Sequence, residues 1–501
     1  MFTTSRPRIE IPWEHAPTPP RAAALAGLWS GGGSVLRSAA QFVSALVLAR
    51  LTGPGGYGLG AIVVAAATAS ELIRFSGFTH AIIQSPTLDP RRTATVHYVC
   101  IAVAVALGAI VTGGAVAIAT AIGEREFAGA LPWLGLVFAF VGISAIPSAL
   151  LSRALAFGAL AVVETCAVLV ACATSIALGW LGAGAQAFLW QAVLTAGLTT
   201  LGVLTVCPRL PWRPASLRES RTLLVFGLRS SAGQLFRYVS LTCDRVALTL
   251  FAGPAQTGLY AQASQVVTVP IGQTAGPVQR VMLPVLSRAM ADPAQFRRYY
   301  RHAAALLGYV LFPVAGLCAA TASPLVLVVL GPSWAESAPL IVVLCTGVVA
   351  TVVTYLNSWV FVATAAVRSQ SRQLAASMLV TVAAVAIAST FGATGTAIAV
   401  VGCATVTAVV GFLLARRRAP VTTSDLLSAL LGPVAVGAAT AVSAVAAQLA
   451  PAPDLPRLIA GVSAGAAGGL VTIFLLPHGR RTVAALVSTV RRPIAGPTQK
   501  A

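Results

Sequence analysis

The sequence is short of charge: it has few acids and almost no lysine. Of its 501 residues only 9% are charged, 13 are acids, and Lys500 is the single lysine. Soluble domains carry about a quarter charged residues and keep a polar coat, so a chain that is 57% hydrophobic does not fit that class. We expect an all-α polytopic membrane protein, in which the bilayer acts as the solvent.

The usual motifs of enzymes are also missing. The five histidines are scattered without metal-ligand spacing, and there is no Walker A, GxSxG or paired-carboxylate motif. The eight cysteines form no CxxC pair and lie in or at the ends of apolar blocks, which favours buried apolar roles over disulfides or metal ligands. No basic patch is interleaved with aromatics, so nucleic acid is not expected as a partner. We expect no catalytic residue, metal or cofactor, and no ATP-driven pump.

Long apolar blocks, separated by short Gly, Pro and Arg connectors, dominate what is present. A spanning helix needs about 20 mostly apolar residues, and hydropathy predicts about 14 such spans. They lie at 24–50, 57–79, 95–121, 129–151, 158–181, 184–206, 223–251, 257–283, 302–322, 335–360, 372–391, 394–415, 426–449 and 457–476. No connector is long enough to hold a soluble domain, and no cleavable signal peptide is expected.

The placement of arginine predicts the orientation of these spans. If the N-terminus is cytoplasmic, only Arg50, Arg125 and Arg457 fall in segments on the outside, while most other cations fall inside. The positive-inside rule then favours an even number of spans in the cytoplasmic (inner) cell membrane. Both termini are predicted to be cytoplasmic tails, at 1–22 and 478–501.

The chain aligns with itself at an offset of 200 residues. Ten of the 33 positions from 27 to 59 are identical to those 200 further on, including a Gly-Pro pair and an arginine. Six spans separate the copies, so the copies share one orientation, as in the parallel repeats of some transporters. We predict two pseudo-symmetric six-helix lobes around an alternating-access cleft, followed by two extra spans. The predicted boundaries are 23–222, 223–420 and 421–477.

Eight charged side chains remain inside the predicted spans. Such charges are costly in lipid and usually face a bundle interior or a wet cavity. They are Arg37, Arg74, Arg229, Arg237 and Arg245, with the acids Glu71, Glu164 and Asp244. Because arginine binds phosphate through two parallel N–H groups, a cleft lined by these arginines predicts an anionic substrate, a phosphate or diphosphate.

Two of these arginines occupy equivalent positions in the repeat. Arg37 and Arg237 lie near the middle of spans 1 and 7, and neither has an acid nearby along the chain. This favours a role in binding substrate, with the two facing each other across the cleft. Glu71 and Arg74 are three residues apart on one helix and can neutralise each other, so a structural ion pair explains them equally well.

The remaining charges keep alternatives open. Arg229 lies near the inner interface and can extend to water. Asp244, beside Arg245, is a candidate for tuning the cleft or for carrying a coupling ion, and Glu164 is a candidate for coupling or for an ion pair.

Backbone-breaking residues predict hinges in two spans. Gly31, Gly32 and Gly33 lie one turn before Arg37 in span 1, and prolines recur every seven residues in span 8. Proline frees backbone carbonyls and kinks a spanning helix, whereas small residues also serve tight packing. The hinge candidates are Gly31, Gly32, Gly33, Pro270 and Pro277.

Several stretches resemble signatures of the bacterial polysaccharide and lipid-linked oligosaccharide flippases, within the multidrug/oligosaccharidyl-lipid/polysaccharide flippase superfamily. They are LARLTGPGGYGLG (48–60) through GFTHAIIQ (77–84), IPSALLSRALAFGALAVVE (146–164), FGLRSSAGQLFRYVSLTCDRVALTLFAGPAQTGLYAQAS (226–264), MLPVLSRAMAD (282–292) and VVLGPSWAESAPLIVVL (328–344). The resemblance covers roughly residues 25–420. It implies two six-helix lobes, often with two extra spans.

The resemblance also implies a function and a site. The function is flipping of a polyprenyl-diphosphate-linked glycan from the cytoplasm to the exterior. Arg37 and Arg237 would contact the diphosphate, and Arg74, Arg229 and Arg245 would line the cavity. An arginine beside the residue at position 244 is not a fixed feature of the family.

Three other functions remain open at this point. They are a cation-coupled multidrug or small-metabolite antiporter of the same superfamily, a membrane-embedded glycan polymerase or ligase, and a non-transporting scaffold. Drug exporters bind cationic drugs through carboxylates, so the arginines inside the predicted spans argue against that function. A polymerase or ligase would need a large exterior loop. The expected partners are membrane lipids, an anionic lipid-linked glycan and polysaccharide-assembly proteins, and the oligomeric state is not predicted.

Overall fold

The computed structural model describes residues 20–74, 77–85, 89–207, 213–364, 366–449 and 451–476. Within these ranges the chain is helical and contains no strand. The first eight helices are α1 (Pro20–Ala69), α2 (Glu71–Arg74), α3 (Gly77–Gln84), α4 (Pro90–Ala121), α5 (Arg125–Ala130), α6 (Gly135–Arg153), α7 (Phe157–Trp180) and α8 (Gln186–Val206). The others are α9 (Arg221–Arg288), α10 (Pro293–Ala320), α11 (Ala322–Val329), α12 (Ser337–Thr346), α13 (Val348–Ala363), α14 (Val367–Ala388), α15 (Gly392–Ala415), α16 (Thr423–Ala447) and α17 (Asp454–Leu475).

The helices confirm an all-α polytopic membrane fold. Among the described residues, nine helical segments are long and apolar enough to cross a membrane, or ten if the bent pair α12 and α13 is one span. Two of the nine segments far exceed the ~20 residues that one crossing needs, Gly32–Ile83 with 52 residues and Ser369–Ala415 with 47. The 68-residue α9 is not among the nine and also exceeds one crossing. Each of the 14 predicted spans overlaps a helix or part of one. The number 14 is approximate, because the long helices do not separate into single spans.

The apolar surfaces of these helices require lipid. The most apolar window of α4 has a mean hydropathy of 2.4, yet only 28% of that window is buried within the protein. For α17 the corresponding values are 2.0 and 17%. Large apolar side chains lie open, including Ile110 at 72% and Leu181 at 83% exposure. A helix that is apolar all round and little covered by protein is typical of a membrane span.

Both very long helices break at the Gly-Pro pair of the repeat. Gly53 has φ 65° and ψ 179° within α1, and Gly253 has φ 85° and ψ 172° within α9. Glycine adopts positive φ at little cost because it has no Cβ. The proline that follows each glycine has a φ suited to the first turn of the next helix segment. The two copies of the repeat therefore share the same backbone break, where the sequence predicted a connector between two spans.

A second pair of repeat residues makes a close backbone contact. A Cβ atom on Gly58 would lie 1.8 Å from the carbonyl oxygen of Pro254, and a Cβ on Gly258 would lie 2.0 Å from that of Pro54. Each of these Cβ positions is also 3.0 Å from the backbone nitrogen of the other glycine. The contact is reciprocal, with each copy of the repeat presenting the same glycine to the same carbonyl of the other. The 200-residue repeat therefore holds in three dimensions at these positions.

The residues predicted as hinges differ from the residues at which the long helices break. Gly31, Gly32 and Gly33 are within α1, and Pro270 and Pro277 are within α9. In the described parts of these two helices the non-helical backbone falls at Gly53 and Gly253 instead. A glycine can leave helical φ and ψ altogether, whereas a helix can bend at proline and still continue. A hinge function for the five predicted residues stays a prediction.

The chain divides into two compact units between Gly258 and Leu259, within α9. In the first unit α1 packs against α7, α7 against α8, and α4 against α6, around buried side chains such as Phe138. In the second, α10 packs against α16, α16 against α17, and α13 against α15, with Trp359 fully buried. The predicted lobe boundary at 222/223 falls earlier in the chain, and the predicted lobes stay a prediction.

Candidate functional site

Four charged side chains from three helices meet in the first unit. They are Arg37 of α1, Glu71 and Arg74 of α2, and Glu164 of α7. We call these four residues the charge cluster. The packing of α7 and α2 on α1 brings them together. All four belong to the set that the sequence placed inside predicted spans.

Glu164 joins the two arginines of the charge cluster. Its Oε2 lies 3.4 Å from Nη2 of Arg37, and its Oε1 lies 3.3 Å from Nη1 of Arg74. Arg74 also has its Nε 3.7 Å from Oε1 of Glu71, as the spacing of three residues predicted. The carboxylate of Glu164 is therefore the shared counter-ion that holds two guanidinium groups side by side.

Two neutral contacts fix the guanidinium of Arg37 on α7. Its Nη1 donates to Oγ1 of Thr165 at 3.1 Å and to the carbonyl oxygen of Ala161 at 3.5 Å. Gly33 faces the same place, since a Cβ there would lie 3.1 Å from Oγ1 of Thr165 and 3.4 Å from Nη1 of Arg37. The glycine predicted as a hinge residue thus borders the space that the Arg37 side chain occupies.

The charge cluster is electrically balanced and partly accessible. Two arginines face two glutamates, and the side chains of Arg37, Glu164 and Arg74 are 20%, 23% and 24% exposed. Glu71 is 44% exposed. Pairing lowers the cost of keeping these charges inside apolar helices. A balanced cluster can accept an anion once a glutamate gives up its arginine.

The pairing of Arg37 with Glu164 is the part of the site that sequence reasoning missed. Both residues were identified as charges inside spans, but Arg37 has no acid near it along the chain. Its partner lies on α7, and that contact depends on how α7 packs against α1. Thr165 was missed as well, and its only signal was its place beside Glu164. Arg37 therefore has no acid nearby in the sequence, but the fold brings the acid Glu164 next to it.

Asp244 and Arg245 have contacts of their own on α9. The carboxylate oxygen Oδ1 of Asp244 accepts from the backbone nitrogen of Arg245 at 2.8 Å. Thr249 donates to the carbonyl oxygen of Arg245 at 2.8 Å and lies 3.0 Å, between hydroxyl oxygens, from Thr257. Both charged residues are half-buried. Their roles in the cavity or in coupling stay predictions.

The side chains of Arg229 and Arg237 lie outside the described residues, although the α9 backbone there is helical. The expected approach of Arg37 and Arg237 across a cleft is therefore a prediction. The reciprocal glycine contact supports the equivalence of their positions, since each precedes its Gly-Pro pair by the same number of residues.

Comparison with known families and proteins gives one family and several distant relatives. Residues 47–339 match the family described as polysaccharide biosynthesis protein. An uncharacterized membrane protein in the cps region of Klebsiella pneumoniae is 21% identical over 322 residues, 63% of this chain and 66% of that protein. The succinoglycan biosynthesis transport protein ExoT of Rhizobium meliloti (strain 1021) is 23% identical over 303 residues, 60% of this chain and 61% of that protein. The lipopolysaccharide biosynthesis protein WzxC of Escherichia coli (strain K12) is 23% identical over 331 residues, 63% and 65% of the two chains. The matches span just under two thirds of the length of these relatives.

Two solved structures share the fold. The lipid II flippase MurJ in an inward closed conformation aligns with a TM-score of 0.70 at 14% identity, covering 87% of this chain and 98% of that one. An inward-facing multidrug resistance MATE family transporter of the MOP superfamily aligns with a TM-score of 0.53 at 17% identity, covering 79% and 94%. At these identities the likeness concerns the arrangement of helices.

Proposed function

Because the chain belongs to the polysaccharide biosynthesis protein family, we propose that it flips a polyprenyl-diphosphate-linked oligosaccharide or polysaccharide repeat unit across the cytoplasmic membrane by alternating access. The observation that carries this proposal is the pair of guanidinium groups, on Arg37 and Arg74, held by one carboxylate among apolar helices. The similarity to ExoT, a succinoglycan biosynthesis transport protein, and to WzxC, a lipopolysaccharide biosynthesis protein, supports it.

The chemistry of arginine suits a diphosphate. The guanidinium presents five N–H donors in a planar fork, which matches two phosphate oxygens at once and keeps its charge at any physiological pH. Two such forks side by side can grip the two phosphates of a diphosphate. By the repeat, Arg237 would add a third fork, and Arg229 and Arg245 would line the path.

Glu164 would act as the counter-ion that the substrate displaces. Unpaired guanidinium groups inside apolar helices are costly, so the empty transporter keeps them paired with Glu164. A diphosphate entering the site would take over both arginines, which exchanges one set of ion pairs for another. The displaced carboxylate of Glu164 would then need a proton or solvent in place of the arginines, and the site would discriminate against neutral lipids, which cannot displace Glu164 from them.

Other substrates fit the charge cluster less well. The likeness to a MATE transporter concerns the fold, and an organic cation would find the carboxylates of the charge cluster already paired with arginines. We further propose that both termini face the cytoplasm, as the arginine distribution predicts.

The test is glycan export in cells whose only copy of this gene carries a substitution at Arg37. With equal amounts of protein in the membrane, we expect Arg37→Ala to lower export roughly tenfold or more, the effect of losing a charged hydrogen bond. Arg37→Lys should restore little, because lysine keeps the charge and lacks the fork. Arg125→Ala, at an exposed arginine that begins α5, is the matched control. Normal export by Arg37→Ala would refute this role for Arg37.

A further inference from the structure

A cationic cavity lies in the second unit and shares no residue with the charge cluster. A cavity of about 390 Å³ opens where α10 begins, α15 ends and α16 begins. Its volume falls within the range of about 300–1,000 Å³ that is usual for small-ligand sites. We call it the loop cavity, and its lining is Arg297, Arg416, Ala419, Pro420, Val421, Thr422 and Thr423.

Positive charge exceeds negative charge around the loop cavity. Arg416 lines it and is followed by two further exposed arginines, at 417 and 418. On the α10 side, the Nε atoms of Arg297 and Arg301 each lie 3.8 Å from a carboxylate oxygen of Asp425. That one carboxylate serves two arginines, which are 45% and 50% exposed. The surroundings therefore attract an anion.

The walls of the loop cavity are held in place by specific contacts. Arg297 donates from Nε to the carbonyl oxygen of Pro420 at 2.6 Å, which ties the loop to α10. Thr422 and Asp425 form a capping box, with the Asp425 backbone N–H donating to Oγ1 of Thr422 at 3.2 Å and the Thr422 backbone N–H donating to Oδ2 of Asp425 at 3.0 Å. Thr423 begins α16, whose first-turn N–H groups have no acceptor within the helix and favour negative charge. These contacts fix the loop that forms one wall of the cavity.

The position of the loop cavity in the fold indicates the source of the anion. Segments that include α10, α15 and α16 are each long and apolar enough to span the membrane, so a cavity at their ends lies at a bilayer surface. The charge pattern predicts this surface to be the cytoplasmic one. Within three turns of the cavity, apolar side chains are open to the surroundings, with Leu413 46%, Leu427 55% and Leu431 65% exposed. A lipid whose headgroup sits in the cavity could lay its acyl chains along them.

We propose that the loop cavity binds the phosphate headgroup of an anionic phospholipid of the surrounding membrane. Basic pockets between spanning helices at the cytoplasmic surface suit such headgroups. The lipid would bridge α10, α15 and α16 at the entry to the last two spans. This site does not depend on which substrate the protein moves, since none of its residues belongs to the charge cluster.

The experiment measures lipid retention by the purified full-length protein. Delipidated protein in mild detergent is given phosphatidylglycerol or phosphatidylcholine with the same acyl chains, and bound lipid is counted by native mass spectrometry. Phosphatidylglycerol should be retained over phosphatidylcholine, and Arg297→Gln/Arg416→Gln should weaken its retention about fivefold for each arginine removed. Arg417→Gln/Arg418→Gln removes the same charge beside the cavity and should retain the lipid as the wild type does.

Four results would overturn the proposal. Equal loss in the two double variants would mean diffuse surface attraction, and equal retention of the two lipids would mean that no headgroup is recognised. Complete displacement by inorganic phosphate at physiological concentration would mean a site for free anions. The single variant Arg416→Gln controls for misfolding, because Arg416 makes no ion pair with a described residue whereas Arg297 does. Normal lipid retention by a well-folded Arg416→Gln would also contradict the proposal.

Discussion

Gly58→Ala is expected to destabilise the folded protein severely. The added methyl group would lie 1.8 Å from the carbonyl oxygen of Pro254, a backbone atom that cannot move without displacing α9. Overpacking typically costs about 1–3 kcal/mol of the free energy of unfolding, and a clash with a backbone atom belongs at the upper end of that range. The measurement is the thermal unfolding midpoint of the detergent-purified protein, together with its yield as a monodisperse species.

Two further glycine variants make this prediction specific. Gly258→Ala places its methyl group 2.0 Å from the carbonyl oxygen of Pro54 and should have the same effect, because the contact is reciprocal. Gly55→Ala is the matched control, since a Cβ there meets nothing within 4 Å. In a helix that change is neutral or slightly stabilising. If Gly58→Ala unfolds at the same temperature as Gly55→Ala, the described contact between the repeats is wrong.

Removing Arg37 and Glu164 together is expected to repair stability without repairing transport. Arg37→Gln leaves the charge cluster with an excess acid, and Glu164→Gln leaves it with an excess cation, so each single variant should be destabilised. The double variant leaves Arg74 paired with Glu71 and is neutral again. We expect the double variant to be about 1–3 kcal/mol more stable than the sum of the single effects predicts.

Export separates the structural role of the pair from its role in binding. The double variant lacks the guanidinium that would bind the diphosphate, so its export should stay as low as that of Arg37→Gln even though it folds. Thermal unfolding measures the stability of each variant, and glycan export at equal protein levels measures its transport activity. Recovery of export along with stability would show that Arg37 serves only as the structural partner of Glu164.

Much of the fold follows from local properties of the sequence. Apolar blocks of about 20 residues predict spans because each crossing must satisfy its own backbone hydrogen bonds in lipid. The Gly-Pro pairs at 53 and 253 fall between predicted spans, at 51–56 and 252–256, and both helices break there. The hinge candidates at Gly31 to Gly33 and at Pro270 and Pro277 were chosen from composition alone, which does not tell a bend from a packing contact.

The sequence predicted which residues form the site but not all of the contacts between them. Charges inside apolar blocks stand out in a sequence, so Arg37, Arg74, Glu71 and Glu164 could all be found. The pair Glu71 and Arg74 was also found, because helical spacing of three residues is local. The bond from Arg37 to Glu164 joins α1 to α7, and it depends on helix packing that the sequence does not display. That bond changed the expected cationic site into a balanced one.

The most direct test of the central proposal is translocation in a purified system. Proteoliposomes that contain only this chain are loaded in one leaflet with a fluorescent glycan on a polyprenyl diphosphate, and a membrane-impermeant quencher reports its arrival in the other leaflet. We predict translocation above that of protein-free liposomes, loss of this activity in Arg37→Ala, and no translocation of the same glycan on uncharged polyprenol. Translocation no faster than in protein-free liposomes, or equal movement of the charged and uncharged lipids, would contradict the account.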